Sequence, residues 1–253
     1  MIVDANVSYG PVYTPTLAPC RTPAELVAAL DWMGADRGLV LADRLRNGSP
    51  GEANARLIEE LAPHRARLEP VWAILPDETG ELGTVPELLA AMQRHGVRAL
   101  AAFPSRHRYL LDRRSCGGLL DAMVRHRIPL WLPLSESSGS RGGWELVGSV
   151  LAETPGLRLV ATGSGPWGDD RLFRPLLRAF DGLHLETSRY ELDGGIASLC
   201  RTFSATCLLY GSGYPQAAPG GALLTAMHAD VPAADRTAIL GGNLQRLLEE
   251  VTW

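Results

Sequence analysis

The sequence predicts an α/β fold, specifically a closed (β/α)8 TIM-type barrel folded as one domain over residues 1–253. Three observations carry this. Eight short apolar runs recur at intervals of about 30 residues, the stretches between them have helical periodicity, and no glycine- or proline-rich linker separates the units. The length, 253 residues, suits one barrel of this kind, and a hydrophobic share of 46% is ordinary for a chain with a sizeable core.

The runs are Ile2 to Val7, Arg37 to Leu41, Pro70 to Leu75, Val97 to Phe103, Ile128 to Leu134, Leu157 to Thr162, Leu183 to Thr187 and Thr206 to Tyr210. Each is rich in Val, Leu, Ile or aromatic residues, as a strand buried on both faces requires. Leu26, Leu30 and Met33 mark one helical stripe between them, Leu57 and Leu61 another, and Leu88 and Met92 a third. Thr22-Pro-Ala-Glu25 and Thr84-Val-Pro-Glu87 each read as a reciprocal capping box at a helix start. An open doubly wound sheet is the competing architecture. It would normally carry a G-x-G-x-x-G turn, and Gly163-Ser-Gly-Pro-Trp167 is no such motif.

Charge and composition narrow the function classes. The net charge is −4 with no basic run, so nucleic acid is not an expected partner. All 24 cationic side chains are Arg, which excludes a lysine Schiff base or a carboxylated lysine. Cys20, Cys116, Cys200 and Cys207 have no C-x-x-C or metal-finger spacing and are expected to be reduced. The opening segment contains Asp4 and lacks the apolar run of a signal peptide. No stretch approaches the ~20 apolar residues of a membrane span. The expected setting is cytoplasmic, without a membrane partner.

In a parallel barrel, chemistry belongs to the C-terminal strand ends. Those ends hold Asn6, Ser8 and Tyr9; Asp43 and Arg44; Asp77 and Glu78; Phe103 to His107; Pro133 to Glu136; Thr162 to Trp167; Thr187 to Tyr190; and Gly211 to Pro215.

These ends carry a family resemblance across the whole chain. Met1-Ile-Val-Asp-Ala-Asn-Val-Ser-Tyr-Gly10 resembles the opening strand of the amidohydrolase superfamily, in its decarboxylase- and lactonase-like branch. Tyr210-Gly-Ser-Gly-Tyr-Pro215 is similar to that family's last-strand motif. Ile239-Leu-Gly-Gly-Asn243, followed by Leu247-Leu248, resembles its closing helix. The resemblance implies a barrel hydrolase or decarboxylase with a divalent metal. Its first-strand His-x-His, however, falls on Asn6 and Ser8, its fifth-strand ligand on Pro133, its sixth-strand His on Thr162, and its last-strand Asp on Gly213. No metal and no cofactor is therefore expected. Counting residues agrees, because a catalytic zinc needs about three His, carboxylate or thiolate ligands. His64, His95 and His126 lie before strands, His184 starts one and His228 ends a late helix, leaving His107 alone at the active end. A carboxylate-only magnesium or calcium site from Asp43, Asp77 and Glu136 is the alternative, against ordinary solvation of loop acids.

The remaining candidates follow from residue chemistry. His107 and Glu136 are the candidate acid–base residues, with a solvated loop position as the plain reading of each. Arg44, Arg106, Arg141 and Arg189 could bind an anion, since guanidinium forks match carboxylates. Trp167, Tyr190 and Tyr214 could wall the pocket, and Asn6 and Ser8 need polar partners at the end of a buried strand. Cys20 has no supporting base. Two functions follow: a metal-free hydrolase or decarboxylase for a small anionic molecule, or a degenerate homologue that binds a ligand or partner without catalysis. Association into a homo-oligomer is left open.

Overall fold

A computed structural model describes residues 1–11, 18–136, 143–165 and 169–253. Strands β1 (Val3–Val7), β2 (Arg37–Val40) and β3 (Leu68–Pro70) form one parallel ladder. Strands β4 (Trp72–Ala73), β5 (Leu100–Ala101), β6 (Leu130–Pro133), β7 (Leu159–Thr162), β8 (Leu183–Glu186) and β9 (Leu208–Leu209) form a second. The two join into one ring. β3 and β4 are successive halves of the third stave, the first paired with β2 and the second with β5. At the other seam Ala5 N–H donates to the Tyr210 carbonyl (2.9 Å), and Gly213 N–H donates to the Asn6 carbonyl (3.0 Å).

All eight sequence runs contain a strand. The third stave begins at Leu68, ahead of the expected Pro70. Pro70 has no N–H to give, and pairing passes from β2 to β5 just beyond it. Trp131 on β6 is fully buried, and its Nε1–H donates to the Ala5 carbonyl on β1 at 3.0 Å. One side chain thus fills the barrel and spends its only polar group on the opposite stave.

The helices lie between successive staves. They are α1 (Pro23–Met33), α2 (Asp43–Asn47), α3 (Pro50–Leu61), α4 (Val85–His95), α5 (Pro104–His107), α6 (Arg113–His126), α7 (Trp144–Glu153), α8 (Asp170–Ala179) and α9 (Gly195–Thr202). After β9 come α10 (Pro219–Met227), α11 (Ala233–Thr237) and α12 (Asn243–Glu249). Leu26, Leu30, Met33, Leu57, Leu61, Leu88 and Met92 are all buried, as their spacing requires.

The α4 cap is the expected reciprocal box between Thr84 and Glu87. The α1 cap is half of one. Thr22 accepts from Glu25 N–H, but the Glu25 carboxylate accepts from Arg21 N–H (2.7 Å) instead of closing the box. The four cysteines are free thiols. No helix among the described residues is long and apolar enough to cross a membrane.

Asn54, buried on α3, pins that helix to the third stave. Its Nδ2–H donates to the Ala73 carbonyl (2.9 Å) and its Oδ1 accepts Ala73 N–H (2.8 Å). Asn54→Ala leaves both backbone groups buried without partners, at about 1–3 kcal/mol each. Denaturant unfolding of this variant is expected to show a loss on the order of 2–5 kcal/mol.

Candidate functional site

A cavity of about 200 Å³ opens at the C-terminal end of the ring. Asn6, Ser8, Pro133, Thr162 and Gly213, taken from four strand ends far apart in the chain, all line it. Arg46, Asp43, Phe103, Ser188, Arg189 and Gln216 complete its chemically distinctive wall. A smaller recess of about 90 Å³ adjoins it across Ser8, Asp43, Arg46 and Gln216, and there Arg106 and Cys20 join the lining.

Of the two arginines on α2, Arg46 and not Arg44 lines the cavity. Both sit on α2, and residues two apart on a helix point about 200° apart. Arg44 turns outward to Glu60 (3.2 Å), which also accepts the Tyr9 hydroxyl at 2.6 Å. Arg46 turns inward, lies over the Phe103 ring (5.6 Å) and pairs with Glu136 at 3.2 Å. Glu136 thus positions an arginine and does not itself line either cavity. Its side chain is 1% exposed, and Arg106 approaches it at 3.9 Å. Burial raises the Glu136 pKa, and the two arginines hold it down only in part.

The other anticipated residues separate cleanly. Arg189 lines the cavity from an exposed position, and Arg106 lines the recess. His107 lines neither; it is half-buried, edge-on to Phe103 at 5.8 Å, and burial lowers its pKa. Tyr190 is buried against Phe173 with its hydroxyl on Asp170 (3.2 Å), so it supports the fold and does not wall the cavity. Tyr214 faces an apolar recess with Trp32 on the other side of the 214–218 segment. Arg141 and Trp167 lie outside the described residues. Cys20 is buried, its thiol pushed up to about 12 by burial, which makes it a poor nucleophile.

Two buried carboxylates beneath the cavity were not anticipated. Glu186, at the end of β8, accepts Asn6 Nδ2–H (2.9 Å), Ser188 Oγ–H (2.9 Å) and Ser188 N–H. Asp4 on β1 accepts the N–H groups of Asn6 and Ser212, each at 3.0 Å. Burial is the largest cause of shift in both, raising Asp4 to about 6 and Glu186 to about 7, and the Asp4 charge raises Glu186 further. The available signal was a carboxylate, Glu186, inside the strand run Leu183 to Thr187. An acid on a strand with both faces buried needs dedicated donors.

These residues do not fit a catalytic divalent metal. The five strand-end positions offer one carboxamide, two hydroxyls, a proline and a glycine. Among the described residues no three His, Cys, Asp or Glu come together as a ligand set, and Asp43, Asp77 and Glu136 are no exception. Imidazole, thiolate or several carboxylates are what such ions require.

No family model matches the chain, and no curated protein matches it. Solved structures do, over nearly the full length. A dihydroxybenzoic acid decarboxylase from Polaromonas sp. JS666, with bound manganese and 2-nitroresorcinol, superposes with a TM-score of 0.74 at 13% identity, covering 98% of this chain and 96% of that one. A 2,6-dihydroxybenzoate decarboxylase complexed with 2,6-dihydroxybenzoate gives 0.74 at 16% over 98% and 99%. A structure named as an amidohydrolase II gives 0.72 at 14% over 98% and 100%. The chain has the fold of the amidohydrolase-related barrels. At these identities the likeness concerns the fold.

Arg46→Met tests the positioning role of Glu136. A carboxyl whose folded pKa lies above its ordinary value binds its proton more tightly in the folded state. Stability therefore falls as pH rises from about 4.5 through the folded pKa. Removing the arginine raises that pKa further, so the variant is expected to be close to the parent at pH 4 and to fall progressively behind it toward pH 8. Parallel denaturation curves across the pH range check this.

Proposed function

We propose that this barrel is a hydrolase-type enzyme that acts, without a divalent metal, on a small anionic substrate held in the 200 Å³ cavity. The supporting observation is the lining itself. All five positions where the resemblance places metal ligands face one cavity, and none bears a group suited to zinc or manganese. Arg46 and Arg189 both line that cavity. A carboxylate of the substrate would take charge-assisted hydrogen bonds from these guanidinium groups. Arg106 extends the positive character into the adjoining recess, where a longer substrate would continue. Asp43 is shared by both spaces, and burial raises its pKa, so near its midpoint it modulates the charge the substrate meets. Decarboxylation of the same carboxylate is the neighbouring chemistry within this fold, and the solved decarboxylases motivate including it in an assay panel.

A second reading, anion binding without turnover, rests on a different observation. His107 and Glu136, the acid–base groups expected from the sequence, stand off the cavity lining. Turnover of carboxylate-bearing esters or lactones in excess chelator separates the two readings. Activity unaffected by chelator supports the enzyme; anion binding with no turnover across esters, lactones and aromatic acids supports the binding protein.

Binding itself has a defined pH dependence. Thermal-shift or calorimetric titration with small carboxylates is expected to show saturable binding, weakened about tenfold or more by Arg189→Ala. Protonating Asp43 removes a negative charge beside the anion, so affinity is expected to fall as pH rises through the raised Asp43 pKa. Asp43→Asn should tighten binding and flatten that dependence. Equal responses to neutral and anionic compounds would refute the anionic assignment.

A further inference from the structure

We infer that Ser188 is the nucleophile of this cavity and that Glu186, beneath it, is its general base. This deepens the hydrolase reading above and rests on it. Ser188 lines the cavity, while Glu186 is fully buried behind it. The Ser188 hydroxyl donates to Glu186 Oε2 at 2.9 Å, within the distance at which a base takes a proton. Ser188 N–H donates to the other carboxylate oxygen, so backbone and side chain together hold the hydroxyl in that orientation. Asn6 Nδ2–H also donates to Oε2 (2.9 Å) and helps to fix the carboxylate, and Asn6 itself lines the cavity.

The last-strand segment leaves room for this pair. A side chain on Gly211 would put its Cβ 2.2 Å from Glu186 Oε1. One on Gly213, where φ is +68°, would put its Cβ 3.1 Å from Ser188 Cβ and 3.2 Å from Ser188 Oγ. Both glycines stand where any larger residue would displace the carboxylate or cover the hydroxyl. Between them Ser212 N–H is anchored on Asp4.

The titratable groups facing Glu186 are Asp4 on β1 and Tyr210 after β9. Burial and the Asp4 charge raise the Glu186 pKa to about 7. That makes it a far better proton acceptor than an exposed carboxylate and leaves it substantially ionised at neutral pH.

The chemistry balances without a metal. Ser188 Oγ attacks the carbonyl carbon of an ester or lactone while its proton passes to Glu186. The carbon–oxygen bond to the leaving alkoxide breaks, and the alkoxide takes that proton. Water then attacks the acyl-serine and gives its proton to Glu186, which returns it to Ser188 Oγ as the acid departs. The net reaction is ester plus water to acid plus alcohol.

The test uses the full chain, a fluorophosphonate serine probe and mono-4-nitrophenyl succinate as a carboxylate-bearing ester. Peptide mass spectrometry should place the probe on Ser188. Ser188→Ala should lose labelling and reduce turnover by a factor on the order of a thousand or more, while its response to small carboxylates in thermal shift persists. The parent rate should rise with pH through a midpoint near 7, where Glu186 ionises. Glu186→Gln should remove that limb; should this variant fail to fold, labelling and Ser188→Ala still decide the matter. A label on another residue overturns the inference, as does Ser188→Ala turnover within threefold of the parent. Retained chelator-insensitive turnover in Ser188→Ala would leave the hydrolase reading standing without this nucleophile. A parent with neither label nor turnover refutes both.

Discussion

Asp4 is buried where the first and last staves meet, and the active end depends on what it holds. One of its oxygens accepts Asn6 N–H within its own strand and Ser212 N–H across the seam, each at 3.0 Å. The backbone bonds from Ala5 and Gly213 close the ring on either side. A side-chain acceptor at that point lets the 211–213 segment leave the regular ladder without stranding an N–H group in the core. That departure opens the space over Glu186 and Ser188. Closure of the barrel and shaping of the cavity floor are thus one arrangement.

The polar groups are layered by depth. At the rim, Arg46, Arg189 and Asp43 meet solvent and set the charge an incoming molecule encounters. At the floor, Asn6 and Ser188 present neutral groups whose orientation is set from below by Glu186. Deepest are Asp4 and Glu186, whose desolvation moves both toward neutrality. A buried carboxylate is costly unless donors surround it, and two of the donors here, Asn6 and Ser188, are residues of the cavity wall. Glu136 repeats the pattern at the rim, where its burial is compensated by the arginine it aims.

The barrel was legible because its signals are local and repeated. Runs such as Leu157 to Thr162 and Leu183 to Thr187 are apolar because both faces of a parallel strand are covered, and each contains its strand. The Thr84–Glu87 cap was legible for the same reason, since every partner lies within one turn. The Thr22–Glu25 cap was only half right, because a competing donor, Arg21 N–H, captured the glutamate.

The sequence by itself determined the fold, the end of the barrel where a site lies, and the five strand-end positions that meet there. Strand direction dictates the first two; the five positions are those to which the resemblance to the amidohydrolase family pointed. Tertiary structure decided which side chains act. It sent Arg44 to Glu60 and Arg46 to the cavity, set His107 aside against Phe103, and turned Glu136 from a candidate acid into a support. It also joined Glu186 and Ser188 to Asn6 from the far side of the chain, with Asp4 beneath. The physical reason is that a side chain's role depends on burial and on partners brought by other staves. Here those partners stand up to 208 positions away in sequence, beyond the reach of any local pattern.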